Sequence, residues 1–230
     1  KGGIYDQIGF GFHRYSTDKK WLVPHFEKML YDQAMLIHAY LDAYLINNDE
    51  YYKNTIEEIC EYVLRDMTDD NGGFYSAEDA DSKGEEGTFY IWNSSELQQI
   101  LNTNEFDLIS NILNIEDDGN SVVEGKRTNI PHFTKSFTEI SHEYDLTELE
   151  IETKYHNIRK KIFNYRENRT HPQKDDKILT DWNGLMISAL SRASVILDNK
   201  EYLRAAEKSA DFIINNLISK DGMLLKRYRN

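Results

Sequence analysis

The sequence predicts an all-α chain of stacked helical hairpins that carries a small β-hairpin. Two observations predict it. A segment apolar almost all round is followed by an amphipathic one, and the same pair returns near the far end of the chain. Between the copies, turn residues and short aromatic runs replace the helical period. No linker-like stretch interrupts the chain, so a single domain over residues 1–230 is expected.

The first inner helix is expected over residues 31–46, with Ala34, Met35, Leu36, Ile37, Ala39, Leu41, Ala43 and Leu45 giving apolar character, and so expected burial, on every face. Asn47-Asn48-Asp49 turns the chain. Tyr52, Ile56, Ile59, Cys60, Val63 and Met67 then recur at three- and four-residue spacing, the mark of a helix with one wet face. The second pair spans 182–197 and, after a turn at Asp198-Asn199, 202–217. Glu50-Tyr51 matches Glu201-Tyr202, and Asp70 matches Asp221, at one constant offset. In between, Phe74-Tyr75-Ser76 and Thr88-Phe89-Tyr90-Ile91-Trp92 read as strands flanking an acidic loop. Asn93-Ser94-Ser95-Glu96 reads as a capping box, residues 105–114 as a helix, 116–144 as a long loop, 146–165 as a helix opened by Asp145 or Thr147, and 166–179 as a polar loop.

Composition narrows the function. The net charge of −13 leaves no basic stripe to neutralise phosphates, so neither nucleic acid nor an anionic membrane surface is an expected partner. No run is long and apolar enough to span a bilayer. The one cysteine, Cys60, lies on an apolar helix face and reads as core; it is compatible with a reducing compartment, and a cytoplasmic location is expected. The chain starts at Lys1 and stops after Tyr228-Arg229-Asn230, and reads as a piece of something longer.

Candidate chemistry is densest in residues 1–33, where Asp6, His13, Arg14, Trp21, His25, Glu27 and Asp32 sit among glycines and aromatics just before the first helix. Asp32 and Asp181 each open an inner helix beside an aromatic. One reading makes them first-turn acids favoured by the helix dipole; the other sets them across a shared pocket, as glycoside hydrolysis requires of two carboxylates. Asp79 and Asp81 lie in the acidic loop, either solvated or in a cleft. An EF-hand is set aside because Lys83 and Tyr90 would occupy ligand positions. No histidine–cysteine spacing supports a metal site, and no cofactor is expected. His13 and His25 are candidate proton shuttles, since imidazole titrates near neutrality.

Three segments, GGIYDQIGFGFHRYSTDKKWLVPHFEKMLYDQ, GGFYSAEDADSKGEEGTFYIW and HPQKDDKILTDWNGLM, closely resemble the spermatogenesis-associated protein 20 family, often described as thioredoxin-domain-containing proteins. The resemblance covers essentially the whole chain. The chain departs from the family at Gly9-Phe10-Gly11, where a run of glycines is usual, and at Ser121-Val122-Val123. The resemblance implies a thioredoxin-like domain ahead of a helical toroid similar to six-hairpin glycosidases and the N-acylglucosamine 2-epimerase group. This chain lacks a CxxC motif and would be the middle portion, a partial (α/α) toroid without its last hairpins.

The expected function is a carbohydrate-active site, hydrolase-like or epimerase-like, acting on a small-molecule substrate such as a saccharide. Asp32, Asp79, Asp81, Asp181 and His25 are the candidate acids and bases. Tyr5, His13, Arg14, Trp21, Trp92 and Trp182 are the candidate substrate contacts. The alternative is a non-catalytic binding module whose redox chemistry belongs to the thioredoxin-like part. A toroid left open would expose apolar inner faces and favour self-association.

Overall fold

The computed structural model describes residues 2–229; Lys1 and Asn230, the ends of the expected domain, lie outside the described residues. Eight α-helices occur among the described residues: α1 (Leu30–Asn47), α2 (Glu50–Asp66), α3 (Ser94–Ile100), α4 (Thr103–Leu113), α5 (Phe137–Tyr144), α6 (Glu148–Arg166), α7 (Thr180–Ile196) and α8 (Lys200–Asn216). Strands are two or three residues long and form small sheets. None of these helices is long and apolar enough to cross a membrane. The chain divides into two compact units interleaved in sequence. Unit 1 holds the stretch up to Gly9, His13–Phe26 and Ala80–Gln173; unit 2 holds Phe10–Phe12, Glu27–Asp79 and the stretch from Lys174 onward.

In unit 2, α1 packs against α2 and α7, and α7 against α8. The buried face of α1 is Leu30, Gln33, Ala34, Ile37 and Leu41; that of α7 is Asn183, Met186, Ala189, Leu190, Ala193 and Ser194. Both outer helices start on a side-chain cap. Asp49 accepts the Tyr51 amide and Asn199 accepts the Glu201 amide, satisfying N–H groups that a first turn leaves open. The expectation that inner helices are buried on all sides is corrected: Ile46 is 81% and Val195 82% exposed, and Met35, Leu45 and Leu185 are exposed too.

The internal repeat is a real structural correspondence, and its offset is 150, one less than the sequence matches suggest. Strand Lys28–Met29 pairs with Ala77–Glu78 through Lys28↔Glu78 and Met29↔Ala77. Strand Ile178–Leu179 pairs with Arg227–Tyr228 through Ile178↔Tyr228 and Leu179↔Arg227. The turns after the outer helices repeat at the same offset, bridging Thr68 to Phe74 and Ile218 to Leu224. Backbone pairing fixes the register, whereas Glu-Tyr and Asp match by residue type and slip by one position.

Unit 1 packs α3–α6 around Trp92, Leu97, Leu108, Ile109, Ile112, Ile151, Ile158 and Ile162. Capping boxes open α4 (Asn102 with Glu105), α5 (Ser136 with Glu139) and α6 (Thr147 with Glu150). At α3 the expected box is absent. Asn93 makes no side-chain cap bond, and Glu96 is drawn to Arg169 at 2.8 Å. The expected long loop contains α5 and a hairpin, Ser121–Val123 with Lys126–Thr128. The acidic hairpin is also shorter than expected: Asp81–Ser82 pairs with Glu85–Glu86, and residues 88–90 form a turn. The aromatic runs thought to be its strands find other partners. Phe74 gives its N–H and C=O to Asn183 in unit 2, while Trp92 bridges to Asn129 in unit 1.

Candidate functional site

In unit 1, strand Tyr15–Ser16 pairs antiparallel with Pro24–His25, setting Tyr15 opposite His25. The Tyr15 ring stacks on the imidazole at 5.0 Å. His25 Nδ1 lies 2.8 Å from Glu86 Oε1, and the Phe26 amide donates to the same oxygen at 3.2 Å. An ionised carboxylate can only accept, so the proton sits on Nδ1 and the neutral ring's lone pair sits on Nε2. The pair stays partly open, with side chains 23% and 28% exposed.

His13 has the same tautomer for the same reason, since its Nδ1 lies 3.0 Å from the Phe26 carbonyl. It is buried edge-on to Phe26 and Tyr90, whose rings stack parallel. Beyond Tyr90 lies the Arg166 guanidinium, which also covers Phe89 and Phe163. Arg166 Nη1 donates to Asp6 Oδ1 at 2.8 Å, and that oxygen also accepts the Ile8 and Gly9 amides. Burial works against the Arg166 charge; the Asp6 carboxylate works for it, and the net holds the guanidinium above its ordinary value. A Cβ at position 9 would fall 1.8 Å from Arg166 Nη2, so any larger residue there has to displace the buried guanidinium. Arg169 lies over the Trp92 ring at 3.8 Å and donates to the carbonyls of Phe89 and Ile91.

Unit 1 therefore brings His13, His25 and, through Tyr15, Arg14 into one neighbourhood. Arg14 is exposed with its guanidinium 6.0 Å from the Tyr15 ring, and Trp21 is 60% exposed. Tyr5 and Trp92, expected to touch substrate, are packed in the interior. Asp81 is exposed in the acidic hairpin.

In unit 2, Asp32 is half-buried in the first turn of α1 and Asp79 is exposed. Asp181 is exposed in the first turn of α7 and paired with Lys226 at 2.6 Å. The Lys226 hydrogen bond holds the Asp181 carboxyl below its usual range. Trp182 packs edge-on against Tyr31 at 4.8 Å. Among the described residues, no group of three or more His, Cys, Asp or Glu is placed to hold a metal ion.

Residue-by-residue reasoning missed one buried set in unit 2. Lys28 is 1% exposed; its Nζ donates to the Phe10 carbonyl at 2.7 Å and lies 4.3 Å over the Tyr62 ring. The Tyr62 hydroxyl donates to Glu78 Oε2 at 2.7 Å. Burial raises the Glu78 carboxyl above its usual value, against the pull of Lys28. The signal was present as strand alternation: Phe26, Lys28 and Leu30 are all buried, two residues apart. Glu86 was missed because its partner, His25, is distant in sequence.

Spermatogenesis-associated protein 20 of Mus musculus is 34% identical over 98% of the chain, which covers 31% of that protein. The Homo sapiens protein is 35% identical over 92% of the chain, covering 30% of its length. An uncharacterized protein of Caenorhabditis elegans is 35% identical over 92%, covering 32%. No family model matches. Among solved structures, D-mannose isomerase aligns over 98% of this chain and 53% of its own, at 16% identity and a TM-score of 0.32. Cellobiose 2-epimerase from Bacillus thermoamylovorans B4167 aligns over 97% of this chain and 72% of its own, at 12% identity and a TM-score of 0.30. Superpositions that weak carry no argument about fold or chemistry, and the relatives' names state no reaction. By sequence, this chain belongs to the spermatogenesis-associated protein 20 family and spans about a third of the length of the curated relatives it matches.

Proposed function

We propose that unit 1 carries an acid–base site centred on His25, which moves a proton to and from carbon in a small polyhydroxylated carbonyl compound such as a sugar. The observation that carries this reading is the His25–Glu86 pair, 2.8 Å apart and partly open to solvent. The carboxylate orients the ring and stabilises the imidazolium formed when Nε2 takes a proton, a role known to matter in His–carboxylate catalysis. Tyr15, Arg14 and Trp21 offer exposed flat or charged groups in the same unit. Epimerase-like proton transfer is favoured over glycoside hydrolysis, because Asp79 and Asp81 are exposed and Asp181 is committed to Lys226. We also infer that the α1–α2 and α7–α8 hairpins belong to an (α/α) toroid. The support is their shared 150-residue register, with inner helices side by side and outer helices flanking them.

The test uses the full-length protein. Aldoses and ketoses are incubated in D2O, and deuterium at the carbon next to the carbonyl is read by NMR. Removing a general base costs about 10²–10⁴-fold, so His25→Gln should abolish incorporation. Glu86→Gln should reduce it while leaving sugar binding intact. Incorporation that survives His25→Gln refutes the reading. Sugar binding with no incorporation in the wild type would favour the binding-module alternative.

A further inference from the structure

The two copies in unit 2 provide an internal control for the buried charged set. At the 150-residue offset, Lys28 corresponds to Ile178, Tyr62 to Phe212 and Glu78 to Tyr228. In the second copy those positions form an ordinary cluster: Ile178, Phe212 and Leu217 are buried, with Tyr228 packed against them and its ring 5.2 Å from Phe212. The same backbone pairing thus forms without lysine or glutamate. Buried charges carry a desolvation cost that well-packed apolar side chains avoid, so the fold gives no reason to keep them.

A second correspondence shows what the charged set holds. Gln33, in α1, accepts the Phe12 amide at 2.9 Å and donates to the Phe12 carbonyl at 2.7 Å. Asn183, in α7, does the same to Phe74, at 2.8 and 2.9 Å. Two residues before Phe74 the backbone turns left-handed at Gly72, φ +102°. Two residues before Phe12 it turns left-handed at Phe10, φ +70°. Glycine takes that conformation without strain; phenylalanine does not, and a strained residue persists only where its surroundings enforce it. Here the Lys28 ammonium donates to the Phe10 carbonyl. Tyr62 supplies the π face under Lys28 and the wall against Gly11, where a Cβ would lie 2.6 Å from the ring. Glu78 is the cross-strand partner of Lys28 and receives the Tyr62 hydroxyl; Asp66 and Lys174 are its other charged neighbours.

We propose that Lys28, Tyr62 and Glu78 act together, within unit 2, to hold the left-handed Phe10–Gly11 turn. The experiment transplants the second copy into the first, as Lys28→Ile, Tyr62→Phe and Glu78→Tyr together in the full-length protein. The transplant should melt cooperatively at or above the wild-type midpoint. Hydrogen exchange of the amides of residues 10–13 should accelerate about tenfold, as expected when a locally enforced segment opens. Unchanged protection of residues 10–13 overturns the proposal. Loss of cooperative folding overturns it as well, since the charged set would then be a requirement of the fold.

Discussion

Removing Asp6 tests the core of unit 1 most directly. Its Oδ1 accepts three hydrogen bonds, from Arg166 Nη1 at 2.8 Å and from the Ile8 and Gly9 amides at 3.0 Å each. The two side chains are 4% and 3% exposed. Asp6→Ala leaves a buried guanidinium without its counter-charge, a change that costs about 3–5 kcal/mol. The two amides lose their acceptor as well, but their share overlaps that figure, so we expect about 4 kcal/mol in total. For a chain of this size each kcal/mol moves the melting midpoint by about 2–4 °C, giving a drop of about 8–16 °C. Arg166→Met should cost less, because Asp6 keeps both amides and gains room for water. The double variant has no orphaned charge and should be more stable than Asp6→Ala, with a coupling of about 2 kcal/mol. Urea unfolding of the four proteins measures this. A loss below about 1 kcal/mol for Asp6→Ala, or singles that simply add, would refute the reasoning.

Three further outcomes are expected. Gln33→Ala and Asn183→Ala each strip both partners from a buried backbone residue and should cost about 2–3 kcal/mol apiece in urea unfolding. Gly11→Ala should lower the melting midpoint clearly more than Gly84→Ala. Both positions have φ near +78°, but a Cβ at 11 meets Tyr62 at 2.6 Å whereas that at 84 meets nothing within 4 Å. Glu105 caps α4 and bonds Lys161, and the Lys161 bond depresses its pKa below the ordinary 4.5. Its contribution is therefore complete above pH 4.5 and is lost as pH falls through the lower folded value. Glu105→Gln should cost about 1 kcal/mol at pH 7 and nothing in strong acid, read as urea midpoints across a pH series.

The sequence by itself determined the two helical hairpins, the α6 helix and the existence of a repeat, but not α5, because apolar period and turn residues are local signals and residues 137–144 carry too little of either. Residues 31–46 and 52–67 read as helices and correspond to α1 and α2; Asp145 or Thr147 reads as the opener of the 146–165 helix, and Thr147 is the residue that caps α6. It also pointed to residues 1–33 as the richest stretch, and the His25–Glu86 pair lies partly there. What residue types cannot carry is register and partner choice. The repeat offset, the strand partners of Phe74 and Trp92, and the exposure of Ile46 and Val195 all depend on which backbone groups and faces meet across long sequence distances. The tertiary structure alone decided that Glu86 orients His25, that Arg166 neutralises Asp6, and that Lys28 is buried where Ile178 suffices. A side chain's charge is written in the sequence; whether water or a partner answers that charge is settled only when the chain has packed.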